Sequence, residues 1–129
     1  CAADDFVAWD NVGLFPSLYT DIGDFAIGLV LADEWGRAVQ TRAGLTTEGE
    51  EAQLQVDCMA GVWTAALTSP VEDNPMRLFL SAGDLEEGIA GFLALSGTPG
   101  VEGEASAFRR FEAFKNGFFD GISVCGVLP

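Results

Sequence analysis

The sequence contains no histidine and a single lysine, Lys115. Without imidazole it lacks both the commonest metal-ligating side chain and the usual base near neutral pH. A catalytic serine or cysteine would have no customary base beyond that one amine. Basic residues are scarce altogether. Arg37, Arg42, Arg77, Arg109, Arg110 and Lys115 stand against twenty acids, a net charge of −14. Such an excess repels nucleic-acid phosphates and anionic lipid heads, and no basic stripe offsets it. No run of about 18 apolar residues is present, so no membrane span is expected. The apolar stretch Phe25 to Ala32 is short and flanked by acids. Glycine-rich phosphate loops of the Gly-x-Gly-x-x-Gly or Walker type are missing too. The chain opens on Cys1 with no signal-peptide pattern, so any export signal or anchor is expected upstream of it.

What is present is the material of a packed core. Of 129 residues, 49% are hydrophobic, with ten Phe and three Trp, enough for one domain over residues 1–129. The acid excess reads first as solubility. Its sharper reading is the steering of a basic partner.

The patterning is mainly α with a little β. Asp4 to Asp10 alternates weakly, as a strand would. A short helix is expected over Val12 to Thr20, with Pro16 tolerated in its first turn. Asp21-Ile22-Gly23-Asp24 reads as a helix start, Phe25 to Arg42 as the helix, and Gly44 as its stop. Thr47 and Glu50 form a capping-box spacing ahead of a helix over Glu48 to Leu67. Loops are expected at Ser69-Pro70, Glu72 to Pro75 and Gly97 to Gly100. A helix from Ser81 or Asp84 to Ser96 lies between them. A last helix runs from Glu104 to Phe119 with a core stripe of Phe108, Phe111, Phe114 and Phe118, and the tail to Pro129 reads as loop. The carboxylate pairs Glu50/Glu51 and Glu86/Glu87 fit helix N-termini, where the dipole favours acids, better than glycan acid/base work.

One segment carries chemistry. In Asp33-Glu34-Trp35-Gly36-Arg37, positions 33 and 37 share a helix face with Glu34 adjacent. In a zincin helix two histidines occupy those positions and the Glu activates zinc-bound water. Taken alone, Asp33 and Arg37 are an i,i+4 ion pair on a solvated face.

The rest of the chain adds to the signal. Gln53-Leu54-Gln55-Val56-Asp57-Cys58-Met59-Ala60-Gly61 resembles a segment of the bacterial neutral zinc metallopeptidase family. There a Glu opens the motif and Asp-Cys-aromatic-Ala-Gly follows. Cys1 to Asp10 looks like the family's Cys-Pro-Ala-Asp strand, and Ala82 to Gly88 like its Asp-Ile-Glu-Glu-Ala helix start. Ser106 to Gly117 is similar to its terminal Ser-x-x-Gln-Arg helix. The resemblance is collinear over nearly the whole chain.

That resemblance implies a zincin-like α+β domain with a short N-terminal β segment and four to five helices. Its departures imply a degenerate site at Asp33, Glu34, Arg37, Gln53 and Asp57. Asp33 and Arg37 stand for the two histidines, and Gln53 for the third ligand. Glu34 and Asp57, the water-activating and ligand-supporting positions, are retained. No zinc or other cofactor is then expected. Arg37 is expected to replace the metal as the positive centre, buried against Asp33, Asp57 or both. The implied function is a catalytically inactive, extracytoplasmic domain that binds a protein partner in an envelope or membrane-associated assembly. A hydrolase with an altered metal site and a purely structural domain are the alternatives. The family's cysteine pattern leaves Cys1 without its upstream mate and suggests a Cys58–Cys125 bridge. A buried free thiol at Cys58 is the other reading.

Overall fold

Asp10 stands at the start of the first helical segment. In the computed structural model, which describes residues 6–68, 79–96 and 105–127, its Oδ1 accepts from the amides of Val12 at 2.9 Å and Gly13 at 2.8 Å. Its Oδ2 accepts from Leu14 at 3.2 Å. The carboxylate thus takes up amides that a helix start leaves unpaired. Those three bonds hold the Asp10 carboxyl below its usual pKa. Helix α1 follows at Leu14–Asp21, two residues later than the pattern predicts.

Residues 6–10 form no strand, and no strand occurs among the described residues. The expected N-terminal β segment is therefore corrected to irregular chain over residues 6–10. Residues 1–5 lie outside the described part. A strand needs a neighbour to take its amides and carbonyls, and helices provide none.

Helix α2 spans Asp24–Ala43 and ends at Gly44, whose φ of +69° places it in the left-handed conformation glycine adopts freely. Its start is capped from a distance. Glu87 Oε2 accepts from the Phe25 amide at 3.0 Å across 62 positions of sequence. Gly23, at φ +145°, leaves room for that carboxylate; a Cβ there would sit 2.0 Å from it.

Helix α3 spans Glu50–Thr68 and starts two residues after the expected Glu48. Gly49 lies ahead of it at φ +88°. The Thr47–Glu50 capping box does not organise this start, because Glu50 instead pairs with Arg109. Helix α4 covers Asp84–Leu95 and α5 covers Ala107–Asp120. Ser106 caps α5 by accepting from the Arg109 amide at 3.4 Å. The tail read as loop holds a 3-10 helix at Ile122–Cys125. The expected loops at 69–75 and 97–100 lie outside the described residues. The mainly α reading stands, with five α-helices among the described residues.

Two clusters make the interior. Leu29 and Ala32 of α2, Ala60 of α3, Phe92 of α4 and Phe114 of α5 form the first. Val56, Cys58 and Met59 of α3 with Cys125 form the second. The phenylalanine stripe is only partly inside. Phe114 is buried, Phe111 and Phe118 are half-buried, and Phe108 is 75% exposed.

Helices α3 and α5 meet through glycine. A Cβ at Gly61 would lie 2.0 Å from the Phe114 carbonyl oxygen, and one at Gly117 would lie 1.9 Å from that of Cys58. Only hydrogen fits at either position. The Cys58–Cys125 disulfide then ties the tail to α3, so Cys58 is not a free thiol. Gln55 Nε2 adds a bond to the Gly126 carbonyl at 2.9 Å.

Candidate functional site

Helix periodicity puts Asp33 and Arg37 one turn apart on α2, and Gln53 and Asp57 one turn apart on α3. The tertiary fold sets the two pairs face to face. Arg37 Nε donates to Asp33 Oδ2 at 2.9 Å, and its Nη2 donates to Gln53 Oε1. Gln53 Nε2 donates to Asp33 Oδ1 at 2.8 Å and to Asp57 Oδ1 at 3.2 Å. Four of the five expected site residues therefore form one cross-helix network. Glu34 stands outside it. Among the described residues its side chain makes no hydrogen bond or ion pair, and it lines a groove beside α2.

The expected place of Arg37 is corrected by this geometry. Arg37 pairs with Asp33, as one expected arrangement had it, but its side chain is 36% exposed, and among the described residues it forms no ion pair with Asp57. The buried cation is Arg110 of α5, whose side chain is 8% exposed. Arg110 Nε donates to Asp57 Oδ2 at 2.9 Å and Nη2 to Asp57 Oδ1 at 2.8 Å, a two-bond fork on one carboxylate. Nη2 also reaches Asp33 Oδ1 at 3.5 Å. Nη1 donates to the carbonyl of Leu95, the last residue of α4, at 2.9 Å. The guanidinium lies 5.4 Å from the Phe92 ring centroid. One side chain thus links α2, α3, α4 and α5.

Arg110 was missed as a site residue because the expected stripe ran through Phe108. Positions 110, 114 and 117 are the buried ones on α5, and they fall on a single helix face at i, i+4 and i+7. That spacing was readable. An arginine in phase with a phenylalanine and a glycine on the inner face is a buried charge needing partners.

The electrostatics follow from burial. Desolvation pushes the Asp57 carboxyl above its ordinary pKa, although Arg110 and Gln53 hydrogen bonds favour the charged form and oppose the rise. Burial also works against the Arg110 charge, yet Asp57 and Asp33 outweigh it and raise the guanidinium's pKa. Two acids and two arginines leave the network formally neutral.

These residues do not fit a catalytic zinc. Both oxygens of Asp33, both of Asp57 and Oε1 of Gln53 already accept from N–H groups. A dication there would have to displace those donors and sit against two guanidinium groups. No imidazole exists in the chain to replace the missing ligands.

This network bridges α2 and α3. An open groove of about 450 Å³ lies along α2, lined by Phe6, Glu34, Trp35, Arg37, Thr41 and Thr47 among others. Neighbouring Gln40 is wholly buried. Its Nε2 donates to the Ala52 carbonyl at 2.9 Å and to Gln55 Oε1 at 2.8 Å, while its Oε1 has no partner.

Comparison of the chain with protein-family models, with curated proteins and with solved structures finds no match.

Proposed function

We propose that this chain is a metallopeptidase-like domain that has lost its zinc site and works by binding protein. It would be catalytically inactive, an extracytoplasmic interaction domain or accessory subunit of an envelope assembly. The observation that carries this reading is the neutral network in which Asp33, Arg37 and Gln53, at the positions matched to the zinc ligands, are joined to Asp57 and Arg110. Each oxygen that would face a metal faces an N–H instead. Glu34 keeps the water-activating position, but with nothing at hand to lower the pKa of a water it lacks its usual chemistry.

Export is supported by the Cys58–Cys125 disulfide, since such bonds persist in oxidising compartments. Among the described residues no helix is long and apolar enough to cross a membrane.

The test is metal analysis of the purified protein together with a peptide-hydrolysis assay. The reading predicts no stoichiometric zinc and no hydrolysis, with or without added zinc. Stoichiometric zinc accompanied by chelator-sensitive hydrolysis would overturn it in favour of an altered metallohydrolase.

A further inference from the structure

A cleft of about 230 Å³ opens between α4 and α5. Its wall is mostly hydrocarbon, from Phe25, Leu80, Leu85, Phe111, Phe118 and Phe119. Leu85 and Phe119 are 61% and 74% exposed, so the cleft is reached from solvent. On α5 the positions 111, 115 and 118 fall on one face at i, i+4 and i+7. That phase sets Lys115, the chain's single lysine, among the aromatics of the cleft.

The other polar side chains of the wall are engaged inside the protein. Thr64 Oγ1 donates to the Ala60 carbonyl at 2.9 Å. Ser81 Oγ donates to Asp84 Oδ1 at 2.6 Å, and the Ser81 amide donates to Asp84 Oδ2 at 2.6 Å. Asp84 is buried, and it is the one acid of the wall among the described residues. Lys115 is exposed, and among the described residues its side chain forms no hydrogen bond or ion pair. Arg37, Arg109 and Arg110 each meet a carboxylate. In a chain of −14, an ammonium that no acid neutralises therefore lies beside an apolar cleft.

We infer that this cleft binds a medium-chain carboxylate, with its acyl tail between α4 and α5 and its single anionic head on Lys115. At about 30 Å³ for a water-sized group, the volume accommodates a tail of roughly eight carbons. Apolar walls of this kind favour an apolar occupant over water. The head selects among such occupants, because an alcohol leaves the ammonium unneutralised and an amine opposes it. The acid excess of the chain does not prevent the contact. At physiological salt exposed charges are screened beyond about 8 Å, and the lysine lies within the ligand's reach. An anionic membrane is different, since it sets a whole charged surface against the chain. No residue of the cleft belongs to the network around Arg110, so the inference stands apart from the zinc-site reading.

The probe is sodium octanoate, titrated into the chain at pH 7 in 0.15 M salt and followed by calorimetry and amide nitrogen–proton spectra. Butanoate, hexanoate and decanoate give the length series, and 1-octanol and octylammonium give the head series. The inference predicts binding of one octanoate per chain, with amide shifts at Phe111, Lys115 and Phe119. Affinity rises by up to about fourfold per methylene, the effect of burying one, and levels off near eight carbons. Octanoate binds roughly two- to fivefold more tightly than octylammonium, the range of an exposed charge pair. The chain's net charge favours the amine everywhere else, so this preference reports Lys115 itself. Lys115→Met abolishes the preference and leaves octanol binding in place. Leu85→Gln and Phe119→Gln each weaken octanoate by roughly three- to tenfold, as lost apolar contact does. Leu93→Gln, on α4 but outside the cleft, changes nothing. Absence of octanoate binding, affinity for the amine equal to or above that for the carboxylate, or a carboxylate preference that survives Lys115→Met would overturn the inference. So would equal loss in the Leu85 and Leu93 variants, which would mark general adhesion to apolar surface.

Discussion

Arg110 and Asp57 meet side on, with the guanidinium Nε 2.9 Å from one carboxylate oxygen and Nη2 2.8 Å from the other. Both side chains are nearly out of solvent, at 8% and 2% exposed. They lie 53 positions apart in sequence, on helices brought into backbone contact by Gly61 and Gly117. The pair therefore measures whether the α3–α5 packing has formed.

Removing Arg110 should cost far more than removing Arg37. Arg110→Met strands Asp57 in the interior, and loss of one partner of a buried pair costs about 3–5 kcal/mol. Arg37→Met opens a half-exposed pair with Asp33 and should cost about 1 kcal/mol or less. Urea unfolding of both variants checks the ranking. The double variant Arg110→Met/Asp57→Leu should recover much of the loss, since the penalty lies in the stranded charge. Equal costs for the two arginine variants would contradict the assignment of Arg110 as the central cation.

Asp57 should make stability fall as pH rises through a defined window. Its native pKa is raised above the ordinary 3.8. Between that value and the raised one, the folded chain holds a proton that the unfolded chain has released. The unfolded state then binds fewer protons, so the contribution of Asp57 to stability decreases with pH across the window. Asp10 has the opposite sign. Its lowered pKa gives stability present above 3.8 and lost as pH falls through the native value. Carbon-13 titration of the aspartate side chains checks both. An Asp57 midpoint at or below 3.8, or an Asp10 midpoint above it, would refute the corresponding half.

The Cys58–Cys125 bridge should appear as one crosslinked peptide pair in unreduced digests. It closes a loop across 67 positions of sequence. By loop-closure entropy, Cys58→Ser with Cys125→Ser should cost about 4 kcal/mol. Thermal melts with and without reductant measure the same effect. Free, alkylatable thiols at both positions in the native protein would rule the bridge out.

Two glycine substitutions should move stability in opposite directions. Gly117→Ala drives a methyl into the Cys58 carbonyl, where neither backbone can yield without separating α3 from α5. Overpacking of this kind costs about 3 kcal/mol or more. Gly28→Ala meets nothing within 4 Å inside α2 and should stabilise by about 0.5–1 kcal/mol, the usual gain over a mid-helix glycine. Denaturant midpoints of the two variants decide it.

Local rules settled much of this protein. Four-residue spacing was enough to pair Asp33 with Arg37 on their helix. Gly44 marked the end of α2. These features depend on neighbours within a turn, so one dimension contains them. The helix starts were less legible. Asp10 caps α1 locally, but the cap of α2 comes from Glu87, and Glu50 is engaged by Arg109 instead of a capping box. The N-terminal alternation looked like a strand and failed as one over residues 6–10, because among the described residues no strand lies beside them to pair with.

Helix phase could place Arg110 on an inner face, but only the tertiary structure paired it with Asp57 and made it the central cation. Along the sequence Arg37 is the arginine beside the acids, four positions from Asp33. In space the glycine contact between α3 and α5 carries Arg110 onto Asp57 and leaves Arg37 half in solvent. Burial decides which pair matters, because a charge held away from water must be met by hydrogen bonds from whichever helix packs closest. That packing is set by shape, by where two glycines let backbones touch, and sequence distance does not encode it.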